Sequence, residues 1–289
     1  MNSRQRFLKT MRYETPDRVP YFEEGIRDEV FEVWKKQGLK RKSDLYRYFP
    51  TDVREEIEPD LEPVPAFKQW PATVSQLSGL RERLDPNDPA RLPKNWKSRV
   101  RKWDERDHVL MLRIHRGFFL TLGVAGWPRF LEVIYKLKED PDYIHEALAI
   151  QAEFSARLAQ RILNDVQVDA AVISEPIGGN DRPLMSPRMY EEFVLSSYQP
   201  IIEVLARNGV QNIIFRTFAN AAILIPKILE HGFNCLWACE VNIGAMDYRK
   251  LRQTHGRTLR LIGGIDLDAL RKGKKAIKAE IEEKVPPLL

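Results

Sequence analysis

Polar residues recur just after short apolar runs in this chain. Glu23 and Glu24 follow Val19-Pro20-Tyr21-Phe22, Glu175 follows Val168–Ser174, Arg216 follows Asn212–Phe215, Glu240 follows Asn234–Cys239, and Asp266 follows Leu259–Ile265. His115 and Arg116 stand before Phe118–Leu122, and Asn220 lies just after Arg216. Carboxylates and a guanidinium gathered in a partly dry pocket are what general acid–base work needs, because burial and neighbouring charge move their pKa values. Glu175, Glu240 and Asp266 are therefore the expected acid–base groups. Arg216 is expected to bind an anionic group, with Asn220, His115 and Glu24 lining the pocket. The competing structural reading pairs Arg216 with Glu175 or Glu240 in an ion pair. Cys235 and Cys239 would face the same side of a strand. Their spacing matches no zinc motif, so both read as small buried residues, with Cys239 the weak metal candidate because it sits at a strand end.

These residues need elements that bring strand ends together. From Arg116 onward the chain alternates apolar runs with helical periods: the candidate strands Phe118–Leu122, Val168–Ile173, Asn212–Phe215, Asn234–Ala238 and Leu259–Ile265 are separated by helices such as Pro141–Asn164 and Ser186–Asn208. Alternation at this spacing implies a parallel sheet with right-handed crossovers, and continuous apolar strands imply burial on both faces. A polar residue at nearly every strand end favours a closed barrel, which gathers those ends around one mouth. The N-terminal part adds a helix over Ser3–Tyr13, a short strand at Val19–Phe22, and a helix Asp28–Gln37 closed by Gly38. Residues 50–110 are proline-rich and charged. The pieces Arg99–Trp103 and Val109–Leu112 suggest β-hairpins or extended loops, so the stretch reads as an irregular β/loop insertion or subdomain within a single domain over 1–289.

The 289 residues carry a net charge of +5, concentrated in the runs Lys35–Lys42, Lys94–Lys102 and Arg271–Lys278. Solvated faces explain these better than a nucleic-acid surface, which would interleave them with aromatics on one side. No apolar run approaches the length of a membrane span. The opening Met1–Arg6 leads into a mixed segment, not an apolar signal core, which predicts a cytoplasmic protein.

Several motifs resemble one family. Ser3-Arg4-Gln5-Arg6-Phe7 followed by Pro16-Asp17-Arg18-Val19-Pro20, the helix start Ser186-Pro187-Arg188-Met189-Tyr190-Glu191-Glu192-Phe193, and Leu261-Ile262-Gly263-Gly264-Ile265-Asp266 followed by Gly273-Lys274 and Lys284–Leu289 are similar to the uroporphyrinogen decarboxylase superfamily. The resemblance implies a (β/α)8 TIM-type barrel. It also implies either cofactor-independent decarboxylation of uroporphyrinogen or methyl transfer between corrinoid proteins and thiols or methylated substrates. Members continue past the Pro-Pro-Leu-Leu helix into an eighth strand, so the run is expected to supply seven of eight strands and to lack the eighth.

Two departures bear on chemistry. Where the decarboxylases carry an arginine-rich stretch after the first strand, this chain has Glu23-Glu24-Gly25-Ile26-Arg27, with Arg27 as the one substrate-binding arginine expected there. Where the thiol methyltransferases carry a zinc-binding His-x-Cys pair, it has Arg216-Thr217-Phe218-Ala219-Asn220, which argues against zinc–thiolate chemistry. The leading expectation is a corrinoid-linked methyltransferase or demethylase acting on a small substrate in the mouth, with a corrinoid protein as methyl partner; the resemblance also admits a homodimer. A uroporphyrinogen decarboxylase-type lyase is the alternative. A catalytically silent barrel that binds a ligand or partner, or a fragment, is the reading from another class.

Overall fold

The computed structural model describes residues 1–23, 26–179, 181–239 and 246–289, with the side chain of Tyr46 excepted. Its centre is one parallel sheet whose strands lie in chain order: β1 (Arg54–Ile57), β2 (Val109–His115), β3 (Ala170–Ser174), β4 (Ile213–Thr217), β5 (Cys235–Ala238) and β6 (Arg260–Gly263). Helices stand between successive strands, as in the α/β barrel class expected from the sequence.

Strand parity divides the buried residues into two cores. Leu110, Leu112 and Ile114 of β2, Ala171 and Ile173 of β3, Phe215 of β4, and Leu236 and Ala238 of β5 pack outward against the helices, above all against Pro141–Asp165 and Ser196–Arg207. Val109 and Met111, Ala170 and Val172, Ile214, and Cys235 and Trp237 face the other way and form a smaller inner core. The sheet curls around that inner core. The Arg54 guanidinium on β1 lies 4.7 Å from the Trp237 ring on β5, and Glu56 on β1 reaches Arg216 on β4 at 3.5 Å.

The N-terminal helix Ser3–Met11 closes one end of this interior. Phe7 and Met11 join the inner core, Arg4 binds Asp169 just before β3 at 2.8 Å, and Arg260 Nε at the start of β6 donates to the Met11 carbonyl at 2.6 Å. Arg6, gripped by Asp17 and by the buried Asp52 ahead of β1, pins the same helix. All of these contacts lie at the strands' N-terminal ends, so only the C-terminal end is left for a mouth.

Five expectations are corrected. The strand expected at Phe118–Leu122 is the short helix Phe118–Thr121, because the strand before it has already ended and Gly117, at φ +94°, turns the chain. Val109–Leu112 is no hairpin piece but the core of β2. Arg99–Trp103 lies in the helix Trp96–Asp104. Trp96 and Trp103 are seven residues apart, which places them on one helical face, where their rings meet edge-on at 5.5 Å; on a strand they would point to opposite sides. Val19–Phe22 is extended but enters no ladder; Tyr21 exchanges hydrogen bonds with Asp52, and Phe22 packs on the inner core. The proline-rich stretch thus supplies β1 and the start of β2 to the sheet. Six strands are present among the described residues, not seven.

Candidate functional site

The inner face at the C-terminal strand ends is charged. Arg54 and Glu56 share the inward parity of β1, Arg113 continues the inward row of β2 above Met111, and Arg216 continues that of β4 above Ile214. Arg54 and Arg216 both lie over the Trp237 ring, the second at 5.3 Å, and both reach the same Glu56 oxygen. The side chains of Arg54, Glu56 and Arg216 are only 13%, 14% and 10% exposed. Nearer the rim, Arg113 pairs with Glu58 at 3.0 Å. Below them Cys235 is sealed in the inner core, its thiol pushed up to about 12 by burial. Cys239 is half-buried against the same core, its backbone N–H donating to the Thr217 carbonyl at 2.9 Å.

Glu175 lies on the other side of the sheet. One position past Ser174, it takes the outward parity, and its carboxylate is fully enclosed among residues of the outer core. It accepts the Phe118 N–H at 3.0 Å and the hydroxyls of Tyr198 at 2.5 Å and Tyr190 at 3.4 Å. Residues eight apart on a regular α-helix are turned by about 80° from each other. The π-helical segment Tyr190–Leu195 absorbs that angle and brings both hydroxyls onto one carboxylate oxygen. Burial drives the Glu175 carboxyl up to about 7 against the pull of these three donors. The facing carboxylate and burial push both tyrosines well above the ordinary phenol value, burial being the larger cause.

His115 stands beside this group, its ring edge-on to Tyr198 at 4.6 Å. The Gly117 N–H donates to Nδ1 at 3.0 Å, which leaves the ring proton on Nε2, facing Thr121 Oγ1 at 3.5 Å. Burial, and then the charge of Arg116, lower its pKa to about 3. Gly117 is required here. At its positive φ a Cβ would stand 2.5 Å from the Ser174 carbonyl and 2.9 Å from Glu175 Oε1.

Of the residues expected in one mouth, the structure therefore puts Arg216 on the inner face and Glu175 with His115 behind the sheet. Asn220 ties two loops together, donating through its side chain to the Asp181 carbonyl at 3.3 Å and through its backbone to the Gly179 carbonyl at 3.0 Å. Asp266 caps the helix Leu267–Arg271 by accepting the Asp268 N–H at 2.8 Å. Arg27 is exposed at the start of the helix Asp28–Lys36. Glu24 and Glu240 lie outside the described residues. Of the two ion pairs in the structural alternative, Arg216–Glu175 is not formed and Glu240 lies outside the described residues; among the described residues the partner of Arg216 is Glu56.

Arg54, Glu56, Arg113 and Trp237 escaped the reading of the sequence. The available signal was Arg113, the one charge inside the apolar run Val109–Ile114. For zinc the donor set does not fit: a guanidinium, which has no lone pair to offer, occupies the position of the missing histidine. Among the described residues no three His, Cys, Asp or Glu side chains cluster in a way that could hold a metal ion. None of the described helices is long and apolar enough to cross a membrane.

No curated protein matches the chain. The family model described as Uroporphyrinogen decarboxylase (URO-D) matches residues 124–286, which include β3 to β6 and more than half of the chain. The α/β barrel, the order of its strands and this match agree, and the chain belongs to the uroporphyrinogen decarboxylase family.

Proposed function

We propose that this chain is an enzyme of the family's corrinoid-linked methyltransferase or demethylase branch, acting on a small anionic substrate held on the inner face of the barrel mouth. The observation that carries the reading is the set of arginines at 54, 113 and 216, which converge from three strands onto the walls of that face. An anion placed there meets guanidiniums already oriented by Glu56 and Trp237, so little ordering is left to be done on binding. Arg54 and Arg216 would fix the anionic end of the substrate. Arg113 with Glu58 would form the rim, and a methyl group would pass between the bound substrate and a corrinoid protein docked at the mouth. Glu240, assigned an acid–base role from the sequence, keeps that role as a proposal from the sequence alone. Glu175, an acid–base candidate from the sequence, has its carboxyl behind the sheet and takes no part in this reading; only its backbone N–H meets the Arg216 carbonyl, at 2.6 Å.

Decarboxylation of a small acid is the second reading, and the same arginines favour it, because a guanidinium can stabilise the negative charge left on the substrate as neutral carbon dioxide departs and before that carbon is protonated. Incubation of the protein with a methylated corrinoid protein and candidate thiols, and with methylated small acids and the demethylated corrinoid, separates the two. The expected result is a change in the corrinoid absorption spectrum with stoichiometric methyl transfer. Release of carbon dioxide from added acids without methyl transfer would establish the second reading. Neither reaction, with a correctly folded protein, would refute both.

A further inference from the structure

The charges on the inner face can be counted. Arg54 and Arg216 share one carboxylate, that of Glu56, while Arg113 is matched by Glu58. The Arg54–Glu56–Arg216 triad thus keeps one positive charge with no counter-charge among the described residues, in side chains that are almost wholly enclosed. Arg54 donates one hydrogen bond to Glu56, Arg216 meets the same oxygen as an ion pair at 3.5 Å, and neither side chain makes another hydrogen bond to a described residue. The Nε of each is buried and unpartnered. Arg106 likewise keeps a buried, unpartnered Nε, but its charge is met by Asp169 at 3.4 Å. Arg91 donates to the carbonyls of Asp85, Glu62 and Arg83, and Arg6 is held by two aspartates and a carbonyl. An enclosed charge left one partner short is costly unless a ligand completes it.

We propose that the Arg54–Glu56–Arg216 triad is the anchor for a single carboxylate, so that the substrate class is a small monocarboxylic acid. The inference rests on the mouth being the substrate site and specifies what that site takes. One carboxylate supplies the missing charge and two acceptor oxygens for the unspent N–H groups of two guanidiniums that already meet at Glu56 and over Trp237. A second carboxylate finds no second seat among the described residues, because Glu58 neutralises Arg113, and it would enter against both Glu56 and Glu58. Glu56 accordingly sets the charge of the substrate as well as the pose of the arginines.

The test is calorimetric titration of the intact chain with propionate, propionamide and succinate, with no corrinoid present. Propionate is expected to bind at least tenfold more tightly than either of the others. Arg216→Gln and Arg54→Gln are each expected to weaken propionate about tenfold to a hundredfold. Arg216→Lys, which keeps the charge but loses the planar fork, should fall between. Glu56→Gln raises the site by one positive charge and is expected to reverse the preference in favour of succinate. The three-ligand comparison on the unaltered protein needs no variant to fold. Equal affinity for propionate and propionamide, or tighter binding of succinate by the unaltered protein, would overturn the proposal. Because the titration involves no reaction, propionate binding without methyl transfer would leave this inference standing and sink the proposed activity, and methyl transfer without propionate binding would do the reverse.

Discussion

On the inner face of the sheet, Arg54, Glu56 and Arg216 leave a positive charge unmatched among the described residues and hydrogen-bonding capacity unspent. Behind the same strands, Glu175 is matched donor for donor by Phe118, Tyr190 and Tyr198, and His115 is sealed beside it in its neutral form. Both regions bury charge-bearing groups within a few residues of the strand ends. The difference is in how they are completed. The outer group is finished by the fold itself, through a π-helical segment that bends two tyrosines onto one carboxylate. The inner group is finished by nothing that the described residues supply. A perturbed pKa alone would have selected Glu175 as the site. Incomplete charge balance selects the arginines instead.

The largest expected effect falls on the inner group. Arg216→Gln should lower kcat/KM for the natural substrate roughly 30-fold to 1000-fold, the range expected when one partner of an enclosed charge contact is removed, with circular dichroism unchanged. A loss of only two- or threefold would erase the distinction between the two faces. Next comes the outer group's dependence on close approach. Gly117→Ala forces a Cβ into the Ser174 carbonyl at positive φ and should cost about 2–5 kcal/mol in urea unfolding.

A smaller effect sharpens the comparison through pH. Glu175 has its folded pKa raised from 4.5 to about 7, so its contribution to stability is full below pH 4.5 and is lost as pH rises to 7. His115 has its folded pKa lowered from 6.5 to about 3, so its contribution is full above pH 6.5 and is lost as pH falls towards 3. Between pH 4.5 and 6.5 the two slopes oppose each other, each at most about 1.4 kcal/mol per pH unit. The unaltered protein should therefore show little net change from this pair. Glu175→Gln should expose the histidine slope and lose stability on acidification, and His115→Asn should do the opposite. Identical pH profiles for the three proteins would contradict the outer account. Smallest of all, Tyr198→Phe removes one donor from Glu175 and should cost about 1–3 kcal/mol while moving the carboxyl further up; that shift can be followed by carbon-13 NMR of the labelled carboxyl group.

The contrast between the faces also explains what could be read from the sequence. Strands β3 to β6 were legible within a residue or two because burial on both faces makes them continuous apolar runs. Strand β1 was not, because Arg54-Glu55-Glu56 looks like solvated chain; its charged side chains meet Arg216 and Trp237 on the inner side and Arg99 and Trp103 of a neighbouring helix on the outer. Strand β2 was displaced in the reading to Phe118–Leu122, since nothing local shows that the chain turns at Gly117. Arg216 and Glu175 were both singled out by type and position at a strand end, but parity decides which face such a residue takes, and one step past Ser174 Glu175 falls outward. Arg54, Glu56 and Arg113 depend on the register between distant strands, which no local pattern carries.

The comparison reduces to one measurement: propionate affinity, by calorimetry at pH 7.5, of Arg216→Gln and Glu175→Gln side by side with the unaltered protein. The account predicts that affinity falls at least tenfold in the first and stays within threefold in the second. A loss in the Glu175 variant with none in the Arg216 variant would show that the functional group lies behind the sheet, and would contradict the assignment of the site to the inner face.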